Sequence, residues 1–308
     1  MYIIINHRPD RLGSNLTWYF MQVIYAHYKQ WFIHYHNDSP FSNSIFMRAL
    51  VIFIDKYNFE LGEKLNNHDH LYTEHMIEDS QQDWPGNNMK VCKEIKTDLI
   101  TYFQNHIFSE YQEILSKLIV QNSTLYSYLA KIPFNQIIAV HLRLDDVVER
   151  KHYNGIYSTE YYRNRLESGN ISIDLDDERL FFQKRGIDIP GWNRNYNPYD
   201  CQAPIAEHLI EKYIKNAQKK YPTHKVVLVT SPISKTELPY PIIQSADADT
   251  DILILSKADV VICSKSLFCF SSLYLSKATE IYLPMWGHIA GTGLTSKYDD
   301  RKNITYIY

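Results

Sequence analysis

Several features that mark other classes of protein are scarce or missing in this chain. Its 308 residues include only four cysteines, and no segment reaches the roughly 18 uninterrupted apolar residues of a membrane span. The apolar start, residues 1–6, is short and runs into charged residues 7–11, so a signal peptide is not expected. The cysteines lack paired metal-binding spacings, and Cys263 and Cys269 stand in apolar contexts where thiols pack as small hydrophobes. We therefore expect a cytoplasmic protein in a reducing compartment.

An excess of positive charge is also absent. The 32 Lys and Arg residues face 35 Asp and Glu residues, which leaves a formal net charge of −3. Proteins that bind many phosphates of a nucleic acid need a basic surplus, so nucleic acid is not an expected partner. A local basic pocket for one nucleotide remains compatible with this balance.

The length and the alternation of apolar runs predict two α/β units. A chain of this size exceeds one ordinary hydrophobic core and favours two domains of about 130–170 residues. In the first half, the pattern predicts a loop containing Gly13 and a helix capped by Ser14 or Asn15. The predicted elements are strands over 2–6 and 31–35 and helices over 15–28, 44–57 and, in several pieces, 91–129.

The second half restarts after a boundary predicted at residues 131–135, and its strands again alternate with helices. This alternation indicates a second parallel sheet. We therefore predict two Rossmann-like domains, 1–134 and 135–308, that face each other across a cleft. The predicted strands are 136–141, 225–230, 259–263, 280–283 and 304–308, and the predicted helices are 158–166, 206–221, 251–257 and 271–277.

The most informative stretch lies at the end of the strand over 136–141. There an apolar run brings His141 and Arg143 to the carboxyl end of a strand, followed by Asp145 and Asp146. Open α/β sheets bind ligands at this end, and a guanidinium suits a phosphate or pyrophosphate. The alternative is that Arg143 only pairs with one of the two aspartates.

A second stretch, residues 250–272, predicts a helix, a strand, and a hydroxyl-rich turn that leads into another helix. The free N–H groups at such a helix start can face an anion. The serines of this region could add donors around phosphates, or could serve only in capping and turns. They are Ser264, Ser266, Ser271 and Ser272.

Together the two stretches resemble the GT-B fucosyltransferase superfamily, which includes α-1,2-, α-1,6- and protein O-fucosyltransferases. In that superfamily a strand ends in His-x-Arg followed by an acidic residue, as in residues 141–146. A later Asp-Ile/Leu-x-x-Leu/Met-Ser-x-x-Asp segment, a strand and a Ser-rich turn correspond to residues 251–266. Residues 11–15 also resemble the Gly-containing first loop of the family. Leu144, Asp145 and the residues after Ser266 depart from its usual pattern.

The resemblance implies roles for particular residues. Arg143 would bind the β-phosphate of a GDP-sugar, His141 would orient the site, and Asp251 would contact the guanine or the ribose. The turn from Ser264 to Ser266, with the helix start behind it, would hold the diphosphate. Gly13 and Asn15, in the first loop, would also bind the nucleotide sugar.

The implied reaction is an inverting transfer of fucose from GDP-fucose to a glycan hydroxyl, without a metal or another cofactor. The sequence has no obvious Asp-x-Asp loop for a diphosphate-bound metal. The general base would be Asp146 or Glu149, with Asp10 as a rival. Domain 1–134 would bind the acceptor, and domain 135–308 the nucleotide sugar. The oligomeric state is left open.

Other interpretations remain. The anion pocket also suits a transferase that uses UDP- or dTDP-sugars, a sulfotransferase, or a carbohydrate-binding protein without turnover.

Three segments each have two interpretations. One polar stretch is either a cluster of metal ligands or a solvated segment; it contains His68, Asp69, His70, Glu74 and His75. The long excursion over 168–204 offers Trp192, Tyr196 and Tyr199 either as an acceptor wall or as ordinary edge packing. The glycine-bearing loop 286–293 is either a lid or a flexible connection.

Overall fold

The computed structural model describes most of both halves of the chain. The described residues are 1–5, 11–35, 41–65, 74–75, 91–132, 136–144, 205, 207–231, 236–243, 247–284 and 303–307. Within these ranges the protein is a mixed α/β structure with two parallel sheets. The predicted domain boundary at 134, the predicted helix over 158–166, the excursion 168–204 and the loop 286–293 lie outside the described residues.

A three-stranded parallel sheet is formed by the N-terminal half. Its strands are β1 (Tyr2–Ile5), β2 (Phe32–Tyr35) and β3 (Glu74–His75), in the order β2-β1-β3. Helices α1 (Leu12–Lys29) and α2 (Ile45–Lys64) follow β1 and β2 along the chain. The strands over 2–6 and 31–35 are thus confirmed to within one residue, whereas α2 continues seven residues beyond the predicted end at 57.

A helical region connects the two sheets along the chain. Residues 91–95 are helical, and α3 (Leu99–His106), α4 (Phe108–Gln121) and α5 (Ser123–Leu129) follow. Asp98 caps α3 by accepting the Thr101 N–H at 2.9 Å, and Asn122 caps α5 by accepting the Leu125 N–H at 3.1 Å. The helical pattern predicted over 91–129 is confirmed.

The second half forms a six-stranded parallel sheet. The strand order is β6-β5-β4-β7-β8-β9. Strands β5 and β6 therefore lie on one side of β4, and the later strands β7, β8 and β9 lie on the other side. This reversal makes a topological switch point between β4 and β7. In chain order the elements are β4 (Ile137–Leu142), α6 (Glu207–Lys220), β5 (Lys225–Thr230), β6 (Ile242–Ile243), α7 (Ala248–Lys257), β7 (Val260–Ile262), α8 (Leu267–Leu273), β8 (Glu280–Pro284) and β9 (Ile304–Ile307).

Both faces of this sheet are covered by apolar side chains, which explains its continuous apolar strands. Ile137 and Ala139 of β4 belong to one hydrophobic cluster, and Ile138 and Val140 belong to another. The larger cluster also contains residues of the N-terminal half. Phe20 of α1, for example, lies with its ring centroid 4.9 Å from that of Tyr274, immediately after α8.

Three helices, α1, α7 and α8, start earlier than the sequence pattern predicts, and α7 begins at Ala248 and not at 251. The N-cap of α1 is Arg11, so the prediction of a Ser14 or Asn15 cap is wrong, and Gly13 lies in the first helical turn and not in a loop. Helix α8 starts at Leu267 and not at 271, because the Ser266 hydroxyl caps it by accepting the Phe268 N–H at 3.1 Å.

The hydroxyls of Ser271 and Ser272 do not serve as donors to an anion site. They donate within α8, to the carbonyl oxygens of Phe268 and Cys269, at 2.8 and 2.6 Å. Residues of this kind often bond back to the preceding turn of their own helix.

The cysteines depart from expectation as well. Cys263 and Cys269 form a disulfide, with Cα atoms 5.8 Å apart, whereas Cys92 is buried and belongs to no disulfide. The expectation of separately packed thiols is therefore wrong for this pair, because the short connection from β7 to α8 brings the two side chains together. Among the described helices, none has the length and apolar character needed to cross a membrane.

Candidate functional site

The candidate site lies at the carboxyl ends of β4 and β7, where the strand order reverses. Val140 pairs with Ile262, so the segments that leave these two strands start side by side. One segment carries His141, at the strand end, and Arg143; the other is the turn over residues 263–266, which enters α8. Switch points of doubly wound sheets are the usual ligand sites of such folds.

A buried hydrogen bond joins the two segments. Nδ1 of His141 lies 2.5 Å from the Ser264 hydroxyl oxygen, and both residues are buried. Burial, with a smaller contribution from the positive charge of Arg143, lowers the pKa of His141 from 6.5 to about 3. The imidazole is therefore neutral near pH 7 and is hydrogen-bonded to the Ser264 hydroxyl.

The Arg143 guanidinium lies against the turn itself. Nη1 donates to the carbonyl oxygen of Lys265 at 3.4 Å, and the side chain is half-buried. The turn is closed by a 2.8 Å bond from the Ser266 N–H to the Ser264 carbonyl oxygen. Ser264, Lys265 and Ser266 are only 5, 3 and 6 % exposed, so three consecutive polar residues are buried at this edge of the sheet.

The first turn of α1 packs directly on the first turn of α8. A Cβ atom added at Gly13 would lie 2.3 Å from the Phe268 Cα, so only glycine allows this approach. Asn15 is fully buried, and its side-chain amide donates to the Arg11 carbonyl oxygen at 3.1 Å. The N-terminal half thus reaches the candidate site through helix packing, and Phe268 in turn stacks on His141 with centroids 5.5 Å apart.

Helix α7 also begins at the carboxyl edge, since it leads into the parallel strand β7. Its buried Asp249 accepts the Ser44 hydroxyl at 2.6 Å and the Ile45 N–H at 2.7 Å, and so caps α2. Burial raises the pKa of Asp249 from 3.8 to about 6, although the two hydrogen bonds oppose this rise. Asp251 lies half-buried in the same helical turn.

The structure brings together four of the residues predicted from the sequence: His141, Arg143, Ser264 and Ser266. Gly13 and Asn15 adjoin them through the contact between α1 and α8, whereas Asp251 stands on a separate helix. Asp10, Asp146 and Glu149, the candidate bases, lie outside the described residues. So do His68, Asp69 and His70, while Glu74 and His75 form β3.

Sequence reasoning missed two buried charged residues at this edge. Lys265 stands between the two serines that it singled out, which is a signal that could have identified it. Asp249 gives no such signal, because its partners Ser44 and Ile45 are more than 200 residues away in the chain.

A groove between α2 and α4 is another location where a ligand could bind. Its volume is about 340 Å³, and it is lined by apolar residues, such as Ile52 and Leu118, and by charged ones. The charges pair with each other, Lys56 with Glu110 at 2.8 Å and Lys117 with Glu113 at 2.7 Å. Such pairs are ordinary helix-surface features, so we favour the switch point.

Among the described residues, no three His, Cys, Asp or Glu side chains are grouped as metal ligands would be. The chain matches no protein-family model, no curated protein and no solved structure.

Proposed function

We propose that the protein is an inverting, metal-independent glycosyltransferase that moves fucose from GDP-fucose to a glycan hydroxyl. The observation that carries this proposal is the half-buried guanidinium of Arg143 on a turn of buried Ser264, Lys265 and Ser266, at the switch point of a doubly wound sheet. In this proposal the chain has the two-domain GT-B arrangement, with the acceptor on residues 1–134 and the donor on 135–308.

The donor set fits a diphosphate. Guanidinium and ammonium groups and serine hydroxyls all present hydrogen-bond donors, and charge-assisted bonds to phosphate are among the strongest in proteins. Because the His141 imidazole is neutral, the charge of the site comes from its cationic side chains alone. His141 itself holds the Ser264 hydroxyl in place. We therefore assign His141 a positioning role and Arg143 the role of phosphate binding.

The same donors suit the chemical step. The acceptor oxygen attacks the anomeric carbon, and the bond from that carbon to the β-phosphate oxygen breaks with its electron pair on the departing GDP. Arg143, with Ser264 and Ser266, stabilises the charge that grows on the leaving oxygen, which lowers the barrier more than it strengthens substrate binding. Asp146 or Glu149 takes the acceptor proton. Asp251 contacts the guanine or the ribose, and Gly13 keeps α1 close to the donor site.

A nucleotide panel tests the proposal. Thermal unfolding of the purified protein is followed with GDP, UDP, dTDP and adenosine 3′,5′-bisphosphate, and GDP should give the largest rise in Tm. At 100 times Kd a ligand adds about 2.7 kcal/mol to the free energy of unfolding, which is readily measured. Release of GDP from GDP-fucose in the presence of a glycan mixture then tests turnover.

Each of the other outcomes would indicate a different function. A shift with UDP or dTDP alone indicates another sugar donor, and a shift with the bisphosphate indicates sulfate transfer. Saccharide binding without any nucleotide shift indicates a carbohydrate-binding protein. Each of these results contradicts the assignment of GDP-fucose as the donor.

A further inference from the structure

The disulfide between Cys263 and Cys269 encloses the part of the chain that builds the candidate site. Cys263 follows β7 directly, and Cys269 lies in the first turn of α8. Residues 264–268, between them, supply the hydroxyl that contacts His141, the cap of α8 and the ring that stacks on His141. A covalent bond therefore closes a loop that contains the turn over 264–266.

Both ends of this loop are held by contacts that do not involve the sulfur atoms. The Cys263 N–H donates to the Tyr282 carbonyl oxygen of β8 at 2.8 Å. At the other end, α8 packs closely on α1, since a Cβ atom at Gly13 would lie 2.3 Å from the Phe268 Cα. The end of β7 and the start of α8 are thus restrained, and the turn over 264–266 is the segment left to absorb a change.

Reduction of the disulfide would impose such a change. A dithiol reductant gives two electrons and two protons to the pair, which becomes two thiols, while the reductant becomes a disulfide. Two thiols need more room than two bonded sulfur atoms, but Cys263 and Cys269 are only 2 and 0 % exposed. A close-packed interior offers little spare volume, so the turn that carries Ser264 and Ser266 has to shift.

We infer that Cys263 and Cys269 form a redox switch: the disulfide holds the turn over 264–266 in the conformation that binds a diphosphate, and reduction lowers that affinity. This inference rests on the proposed function, because it takes the diphosphate of GDP as the ligand. The two cysteines do not touch the ligand, and they act through Ser264 and Ser266 as positioning residues.

The first test measures the affinity of the full chain for GDP by equilibrium dialysis, in an oxidised and a reduced sample. Oxidised glutathione or dithiothreitol is applied until alkylation and peptide mapping show the pair fully bonded or fully free. Reduced protein should bind GDP about tenfold more weakly, as expected when about one tenth of the molecules keeps the competent turn. Far-UV circular dichroism should show that both samples are folded.

The same difference has to appear in the reduction potential of the pair, because coupling between two equilibria is reciprocal. Equilibration with glutathione buffers should give a potential about 30 mV lower with saturating GDP than without it, since tenfold corresponds to about 30 mV for a two-electron couple. A disulfide that only stabilises the fold would show no such shift.

Variants locate the effect. Protein with both Cys263→Ala and Cys269→Ala should bind GDP as weakly as reduced wild-type protein, with or without dithiothreitol. Cys92→Ala, which removes a buried cysteine outside the disulfide, should keep the tenfold response to reduction.

Equal GDP affinities of oxidised and reduced wild-type protein would overturn the inference, and this comparison needs no variant to fold. An oxidised sample without the bond between Cys263 and Cys269 would overturn it as well. So would a reduced sample that has unfolded, because the disulfide would then serve the fold. If GDP binds to neither form, the proposed function itself fails.

Discussion

The amino and carboxyl edges of the six-stranded sheet, where its strands begin and end, differ in how deeply their polar groups are buried. At the amino edge, each of two polar pairs includes a side chain that water reaches: Asp259, 38 % exposed, accepts the main-chain Gln136 N–H at 2.6 Å, and Lys220, 61 % exposed, contacts the buried Glu280 at 2.6 Å. At the carboxyl edge the polar residues are buried in consecutive positions, from Ser264 to Ser266, next to buried His141.

If the proposed function is right, this difference separates groups that stabilise the fold from groups that bind a ligand. Exposed pairs add at most about 1 kcal/mol and cost little, because water solvates what the pair does not satisfy. Buried polar groups are costly unless each is satisfied, and an apolar turn would close the edge of the sheet more cheaply. The proposed function accordingly places ligand binding at the carboxyl edge, whereas the pairs at the amino edge contribute only to stability.

The largest effect should follow removal of the Arg143 guanidinium. Arg143→Ala should lower turnover by at least about 100-fold, because it removes a charged donor from the leaving group. The thermal transition should change little, since the side chain is only half-buried. Initial rates of GDP release measure the effect, and Lys225→Ala at the amino edge is the matched control. Equal rates for Arg143→Ala and wild-type protein would remove the basis for the proposed mechanism.

The buried carboxylate of Asp249 should make the free energy of unfolding depend on pH. Its pKa in the folded protein, about 6, lies above its ordinary value of 3.8, so the folded state binds the proton more tightly. The resulting stabilisation is complete below the lower value and is lost as the pH rises through 6. The shift corresponds to about 3 kcal/mol.

Asp249→Asn supplies the comparison, because its amide cannot ionise. Between about pH 4 and 6, wild-type protein should lose stability relative to this variant, as measured by denaturant unfolding at a series of pH values. Ser44→Ala, which removes a donor that lowers the pKa of Asp249, should move the window to higher pH. A difference between wild-type protein and Asp249→Asn that stays constant with pH would contradict the predicted ionisation.

The close packing of α1 on α8 should be disrupted by a single methyl group. In Gly13→Ala the new Cβ would meet the backbone of Phe268 at 2.3 and 2.6 Å, and forced overpacking of this kind costs about 1–3 kcal/mol. Gly62→Ala is the matched control: outside its own helix, no described atom lies within 4 Å of the added Cβ. Alanine is favoured in helices, so Gly62→Ala should be neutral or stabilising by up to about 1 kcal/mol. Similar Tm values for the two variants would show that the contact is not as tight as described.

Local patterns predicted the strands well because both faces of the larger sheet are apolar. The run over 225–230 and strand β5 coincide, and the alternation of strands and helices predicted its parallel pairing. Strands β3 and β6, with two residues each, carry no periodicity and depend on pairing with distant segments. Helix starts were less predictable, since Asp247 caps α7 and the helix begins at Ala248, three residues before the expected start at 251.

The candidate site could be predicted only where it follows strand ends. His141, Arg143, Ser264 and Ser266 follow apolar runs directly, so topology brings them together once the sheet is parallel. The burial of Lys265 and the hydrogen bond from Ser44 to Asp249 depend on packing between segments far apart in the chain. Such burial is a property of the tertiary structure, and a lysine between two serines looks locally like a surface turn.

The smallest loss of stability should follow a substitution at the amino edge. Lys220→Ala removes a largely exposed ammonium group 2.6 Å from the buried carboxylate of Glu280, which also has hydrogen bonds with Tyr282 and Tyr221, so the loss should be about 1 kcal/mol. The loss should diminish in 1 M salt, because ions screen the accessible partner. GDP affinity and turnover should match those of wild-type protein, since the residue lies at the opposite end of the sheet from Arg143. If Lys220→Ala instead weakened GDP binding as strongly as Arg143→Ala does, the division between a stabilising edge and a ligand-binding edge would be wrong.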